Sequence, residues 1–300
     1  MTAPLPQNCR ERFVQTATLS RQHIVESGNP EAPLVLMLHG FPEFWYSWRQ
    51  QLTALADDFH VVAADLRGYG QTVKPAPKPE NYEMKVLAAD TQALLHTLTA
   101  NDKKPRKVTL VGHDWGGLVA WATASLHPDS LDKLVAIDAP HPVAYLQSLK
   151  KHPKQLLKSW YIALFQVPGL FEWQFRRNPA ANMAKMLRGM AVQKSAFPRE
   201  EIAHYAEAMT DRHTLPCALA YYRALPRSMK NLEPLRAKVQ APTLVLWGAH
   251  DQALGTELVE ACRSVVDAPF ETQIFADAGH WLQQEKAVEV SEAIRQFAAR

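Results

Sequence analysis

The amino-acid sequence predicts an α/β fold in which a mostly parallel, doubly wound sheet carries a helical insertion. Short apolar runs of strand length alternate with segments of helical period, as in parallel strands covered by helices on both faces. The alternation stops between Pro140 and Pro234, where no strand-like run occurs. We therefore expect a core formed by residues 1–139 and 235–300, and a helical segment, residues 140–234, called the inserted segment below.

The parallel strands are predicted from runs of consecutive, mostly apolar residues. These runs are Leu34–Leu38, Val61–Ala64, Val108–Val111, Leu134–Ile137 and Leu244–Trp247. Ahead of them, Phe13–Leu19 and Gln22–Val25 are separated by a short polar turn, which predicts an antiparallel pair. A last strand is expected near Phe270–Phe275.

Helices are predicted between these strands. Met84–Thr99 carries leucines at helical spacing, and Leu118–Leu126 and Ala287–Ala298 have a similar pattern. The inserted segment is rich in Trp, Phe, Met, Lys and Arg. If it leaves the sheet at the carboxyl ends of the strands, it will cover the crevice in which open α/β sheets bind ligands.

Composition limits the classes of function. The chain has 300 residues, of which 47% are hydrophobic, so it can bury a sizeable core. A net charge of +3 is too small to indicate a nucleic acid or an anionic membrane as a partner. Three scattered cysteines predict free thiols, and neither a signal peptide nor a membrane span is recognisable. We expect a cytoplasmic protein, either a monomer or a homodimer.

The segment Val111–Gly117 lies between a predicted strand and a predicted helix. It has the pattern of a nucleophile elbow, a tight turn that exposes one side chain above the sheet. Gly112 and Gly116 supply the small residues that such a turn needs two positions before and after the nucleophile. The nucleophile position holds Asp114, where an esterase or lipase would have serine.

An aspartate at this position changes the reaction class. A serine that attacks an sp³ carbon would leave an ether, which water does not readily cleave. A carboxylate that attacks the same carbon forms an ester, which activated water can hydrolyse. Asp114 therefore predicts ring opening or displacement at a saturated carbon.

Hydrolysis of that ester requires a base and an oxyanion hole. His280 follows the last predicted strand and Asp251 follows the preceding one, so the chain order is nucleophile, acid, histidine. We assign His280 as the base that activates water and Asp251 as its partner, with Asp138 as a rival acid. The N–H groups of Phe41 and Trp115 are the predicted oxyanion donors, and the Phe41–Pro42 bond is predicted to be cis.

Several histidines fall near strand ends, which raises the alternative of a metal site. Their spacing matches no helical ligand pair, so we expect no metal and no other cofactor.

The chain resembles the epoxide hydrolases of the α/β-hydrolase fold in three motifs: His39–Glu43, Gly112–Gly117 and Gly279–Trp281. This resemblance runs from about residue 12 to the C-terminus. It implies that the inserted segment is a cap, or lid, with two tyrosines that protonate the epoxide oxygen. Tyr161 and Tyr222 match those tyrosines, whereas Tyr221 and Tyr205 are neighbours without a match.

Haloalkane and haloacetate dehalogenases share the aspartate nucleophile and are the alternative. Haloacetate dehalogenases carry arginines shortly after the nucleophile, where this chain has Trp115 and Leu118. In a haloalkane dehalogenase, Trp115 would bind halide and Asp138 would suit the role of acid. A non-catalytic protein of the same fold would have lost a catalytic group, and none is missing. The resemblance thus implies an epoxide hydrolase that converts a small apolar epoxide and water into a vicinal diol.

Overall fold

The computed structural model describes residues 3–300 except 103, 153, 154, 156 and 157. In this part of the chain, eight strands form one sheet in the order β1-β2-β4-β3-β5-β6-β7-β8. The strands are β1 (Arg10–Val14), β2 (Gln22–Ser27), β3 (Leu34–Leu38), β4 (His60–Ala64), β5 (Val108–His113), β6 (Lys133–Ile137), β7 (Thr243–Gly248) and β8 (Phe270–Phe275).

Helices occupy most of the connections between the strands. Those outside the inserted segment are α1 (Arg49–Ala54), α2 (Met84–Thr99), α3 (Trp115–Leu126), α10 (Glu257–Arg263), α11 (Leu282–Glu285) and α12 (Ala287–Ala299). Those of the inserted segment are α4 (Pro142–Lys151), α5 (Trp160–Phe165), α6 (Leu170–Arg177), α7 (Pro179–Met190), α8 (Arg199–Thr210) and α9 (Thr214–Lys230).

The strand pairing confirms the predicted α/β fold. The β1–β2 and β2–β4 pairs are antiparallel, and the pairs from β4 through β8 are parallel. The predicted strand Phe13–Leu19 is wrong in its bounds, because β1 ends at Val14. The Thr16 hydroxyl accepts a hydrogen bond from the Leu19 N–H (3.0 Å) and closes a turn there.

The order of the strands brings separate loops to one edge of the sheet. The strand β3 lies between β4 and β5. After β3 the chain forms β4 on one side of it and then crosses to form β5 on the other side. Ligand crevices form at such switch points, outside the carboxyl ends of the strands. Leu38 pairs with Gly112, and the loop after β3 therefore runs beside the turn after β5.

The apolar runs are buried as their pattern predicts. Every residue of β3, β4, β5, β6 and β7 is buried, as are ten of the twelve residues of α3. Between β6 and β7 the described residues form helices and no strand, as expected for the inserted segment. The division into core and cap stays a prediction. No helix in the described ranges is long and apolar enough to cross a membrane.

Candidate active site

The turn between β5 and α3 has the geometry of a nucleophile elbow. Asp114 has backbone angles of φ 49° and ψ −118°, a conformation that residues other than glycine rarely adopt. A Cβ atom on Gly112 would lie 2.3 Å from the carbonyl oxygen of Gly116, and one on Gly116 would lie 2.2 Å from that of Leu38. Small residues are therefore required at both positions, as predicted.

The loop after β3 supplies a hydrogen bond to this aspartate. The Phe41 N–H donates to Asp114 Oδ1 at 2.8 Å, and the Phe41–Pro42 bond is cis, as predicted. Trp115 is the first residue of α3, and the first N–H groups of a helix have no acceptor within that helix. Both predicted oxyanion donors thus lie beside Asp114.

His280 lies between two carboxylates. Its Nδ1 is 2.8 Å from Asp251 Oδ2, and its Nε2 is 3.6 Å from Asp114 Oδ2. Asp251 Oδ1 accepts hydrogen bonds from the N–H groups of Ala253 (2.7 Å) and Leu254 (2.9 Å), which fix the carboxylate in its loop. The three residues that the sequence assigned as nucleophile, acid and histidine are therefore in contact.

The two carboxylates control the charge state of the histidine. Burial alone would lower the pKa of His280, but the charges and hydrogen bonds of Asp251 and Asp114 hold it well above the ordinary value. Burial would raise the pKa of Asp114, but the hydrogen bond and charge of His280 outweigh this effect and lower it. Asp114 is therefore ionised at neutral pH, as a carboxylate nucleophile must be.

Asp138, the rival acid, has different partners. Its Oδ1 accepts a hydrogen bond from the Gly248 N–H at 2.8 Å, and its buried Oδ2 has no hydrogen-bond partner in the described part of the chain. Burial and the nearby charge of Asp251 raise the pKa of Asp138 well above the ordinary value. The acid that contacts the His280 ring is Asp251.

The inserted segment places two tyrosines opposite Asp114. Tyr161 on α5 and Tyr222 on α9 have ring centroids 6.1 Å apart. The same two tyrosines and Asp114 line two cavities. Burial and the charge of Asp114 raise the pKa of each tyrosine well above the ordinary value, so both hydroxyls keep their protons.

The two neighbouring tyrosines have other partners. The Tyr221 hydroxyl donates to the carbonyl oxygen of Arg67 at 2.8 Å, and the Tyr205 hydroxyl donates to Gln284 Oε1 at 2.8 Å. These contacts support the choice of Tyr222 over Tyr221.

One pair of residues at the site was not assigned from the sequence. The ring nitrogens of His113 lie 2.8 Å from Glu43 Oε2 and 2.8 Å from the carbonyl oxygen of His280. Glu43 Oε2 also accepts a hydrogen bond from the Gly40 N–H at 3.0 Å. Glu43 lies in the loop after β3 and His113 ends β5, 70 positions later, so no local pattern in the sequence reveals that they pair.

Four histidines lie near strand ends: His39, His113, His250 and His280. The rings of His113 and His280 are adjacent, with centroids 5.0 Å apart. His39 Nε2 accepts a hydrogen bond from the Leu66 N–H (3.1 Å), and His250 is exposed. Across the described ranges, no group of three or more His, Cys, Asp or Glu residues is arranged to hold a metal ion.

Comparison with known proteins gives the family. The chain matches the α/β hydrolase fold family over residues 33–287. It is 38% identical to Epoxide hydrolase 3 of Xenopus tropicalis over 282 residues, which cover 92% of this chain and 74% of that protein. It is 32% identical to Epoxide hydrolase A of Mycobacterium tuberculosis over an alignment of 322 positions, gaps included, that covers 96% of each chain.

A solved structure agrees with these relatives. The crystal structure of Epoxide Hydrolase A from Mycobacterium thermoresistibile has a TM-score of 0.82 and 32% sequence identity, and the match covers 96% of this chain and 98% of that one. The chain belongs to the epoxide hydrolase family of α/β-hydrolase fold proteins.

Proposed function

We propose that this protein hydrolyses an epoxide to a vicinal diol through a covalent ester on Asp114. The observation that carries the proposal is that an ionised aspartate faces two protonated tyrosines on one side and a His–Asp pair on the other. The proposed nucleophile thus has the proposed proton donors and the proposed water-activating base around it. The names of its relatives support the same substrate class.

The first proposed step is ring opening. An oxygen of Asp114 attacks one epoxide carbon and forms a carbon–oxygen ester bond. The ring carbon–oxygen bond breaks, and its electron pair goes to the ring oxygen, which takes a proton from Tyr161 or Tyr222. Both hydroxyls remain protonated at neutral pH, so each is available to donate to the alkoxide that forms as the ring opens.

The second proposed step is hydrolysis of the ester. Alkylation removes the negative charge of Asp114, so the pKa of His280 falls and the protonated ring gives its proton to the tyrosinate left by ring opening. The neutral Nε2 of His280 can then accept a proton from water. The water oxygen adds to the ester carbonyl, and the N–H groups of Phe41 and Trp115 stabilise the oxyanion. The acyl–oxygen bond then breaks, the imidazolium protonates the departing alkoxide, and the diol leaves. The carboxylic acid left on Asp114 gives its proton to His280, which restores the ionised aspartate and the protonated histidine.

We also propose that the inserted segment acts as the cap that selects the substrate. One cavity at Asp114 is lined mainly by apolar side chains, including Leu118, Ile162 and Met229. The other is lined by aromatic residues and methionines together with some polar residues, which include Lys158 and Lys185. These surroundings suit a small apolar epoxide, since apolar groups gain free energy when they leave water.

Trapping the ester tests this function against the dehalogenase alternative. We expect the His280→Asn variant to form the ester but not to hydrolyse it, because no base activates water. Incubation with styrene oxide should add one hydroxyalkyl group to Asp114, detected by mass spectrometry of the peptide. The Asp114→Ala variant is the control and should remain unmodified.

Parallel incubations with a haloalkane and with fluoroacetate complete this experiment. Halide release by the wild-type protein, together with no adduct and no diol from several epoxides, would refute the proposed function and support a dehalogenase.

A further inference from the structure

The two tyrosines that face Asp114 belong to different helices of the inserted segment. Tyr161 lies on α5, and Tyr222 lies on α9, about 60 residues later in the chain. Both hydroxyls must reach the same ring oxygen if both are to donate to it. The contacts that join α5 to α9 therefore determine whether the pair is correctly spaced.

Arg223, the residue after Tyr222, makes these contacts. Its Nε donates to the carbonyl oxygen of Phe165, the last residue of α5, at 3.0 Å. Its Nη2 donates to the carbonyl oxygen of Val167 at 3.4 Å and to Glu172 Oε1, in the first turn of α6, at 2.8 Å. The Arg223 guanidinium thus joins α9 to the end of α5, which carries Tyr161, and to the start of α6.

A second side chain joins the same two helices. The amide of Gln166 donates from Nε2 to the carbonyl oxygen of Tyr222 at 2.9 Å. Gln166 follows α5 directly, so this bond also joins the backbone at Tyr222 to the end of α5. The rings also touch, since Phe165 and Tyr222 have centroids 4.9 Å apart.

The ion pair at this junction is largely withdrawn from water. The Arg223 side chain is 12% exposed and that of Glu172 is 8% exposed. Removing one partner of such a pair leaves an uncompensated buried charge, which is strongly destabilising. A lysine would keep the charge but lacks the planar fork that bonds a carbonyl and a carboxylate together.

We propose that Arg223, held by Glu172, is a positioning residue that sets the spacing of the Tyr161 and Tyr222 hydroxyls over Asp114. Arg223 is not among the described residues that line either cavity, so it acts through the tyrosines and not on the substrate. This inference rests on the proposed function, because it concerns proton donation during ring opening.

The test separates the two chemical steps. Single-turnover measurements with styrene oxide give the rate of ester formation, which uses the tyrosines, and the rate of ester hydrolysis, which uses His280 and Asp251. We expect Arg223→Met to lower ester formation by about 10- to 100-fold, since small displacements of catalytic groups have effects of this size. Ester hydrolysis should stay within about twofold of wild type.

A double-mutant comparison distinguishes positioning from general damage. In the Tyr161→Phe/Tyr222→Phe background the hydroxyls are absent, and Arg223→Met should have no further effect beyond about twofold. Equal losses in both chemical steps, or an undiminished effect of Arg223→Met in the Phe background, would overturn the proposal.

Matched variants control for folding. Arg227 lies one turn further along α9, is 58% exposed and pairs with Glu83, so Arg227→Met should leave both rates unchanged. If Arg223→Met does not fold, Arg223→Met/Glu172→Met removes both charges together and is expected to show the same selective loss of ester formation. Arg223→Lys should fall between wild type and Arg223→Met. Failure of the proposed function is distinguishable, because wild type would then form no ester.

Discussion

Two buried aspartates, Asp138 and Asp251, follow the adjacent strands β6 and β7, and their surroundings differ at the level of single hydrogen bonds. Asp251 accepts from two backbone N–H groups and contacts the ring of His280. Asp138 accepts from one backbone N–H group, and its second oxygen is without a partner in the described ranges. The sequence favoured Asp251 and left Asp138 as a rival acid because each follows a strand, and their contacts distinguish the two.

These contacts predict that replacing Asp251 by asparagine has a large effect on ester hydrolysis and that replacing Asp138 by asparagine has a small one. Asp251→Asn should lower the rate of ester hydrolysis by about 10³- to 10⁴-fold, because an amide no longer stabilises the protonated imidazole. Asp138→Asn should leave this rate within about threefold, since the amide oxygen of Asn can still accept from the Gly248 N–H and the Oδ2 atom that it replaces has no hydrogen-bond partner in the described residues. Pre-steady-state kinetics of both variants checks the pair. A large loss in Asp138→Asn with little loss in Asp251→Asn would reverse the assignment.

At the scale of the element, the elbow between β5 and α3 depends on close contact between backbone segments. Such contact leaves a local signature, since glycine is needed wherever a Cβ atom would overlap a neighbouring carbonyl. This is why the position of Asp114 could be predicted from the sequence. The junction of α5 and α9 leaves no comparable signature. An arginine that bonds to a carbonyl 58 residues away in sequence looks like any other helical arginine.

The elbow predicts the effect of adding one methyl group. Gly112→Ala should destabilise the fold by more than about 3 kcal/mol and abolish activity, since the new Cβ would lie 2.3 Å from a backbone oxygen. Gly189→Ala in α7 is the matched control, because no atom beyond its chain neighbours and the adjacent backbone of α7 lies within 4 Å of the added Cβ. That change should stabilise the protein by about 0.5–1 kcal/mol. Chemical denaturation of both variants measures the difference, and equal effects would contradict this account.

At the scale of the whole molecule, the parallel sheet gathers residues that are distant in sequence. Phe41, Asp114, Asp251 and His280 follow different strands, and the carboxyl ends of parallel strands meet at one edge. The alternation of strands and helices therefore predicted this edge of the site. The helices of the inserted segment could be predicted as a group, but their packing over Asp114 depends on long-range side-chain contacts that no local pattern encodes.

Two buried groups outside the proposed catalytic set make the stability of the fold dependent on pH. Burial lowers the pKa of His141 from 6.5 to about 4. Burial would raise the pKa of Glu26 from 4.5, but hydrogen bonds from His60 and Arg12 lower it to about 2. Both folded-state values lie below the unfolded ones, so the unfolded chain binds more protons in acid. The contribution of His141 is complete above pH 6.5 and that of Glu26 above pH 4.5, and each is lost on acidification.

His141→Asn should flatten the acid dependence of stability between pH 6.5 and pH 4. The wild-type protein is expected to lose on the order of 3 kcal/mol there, because protonation of His141 favours the unfolded chain. Asparagine does not titrate, yet it can replace the ring nitrogen that accepts from the Val143 N–H at the start of α4 (3.1 Å). The measurement is urea denaturation at a series of pH values, with His250→Asn at an exposed site as the control. A slope as steep in His141→Asn as in wild type would show that other groups cause the acid sensitivity.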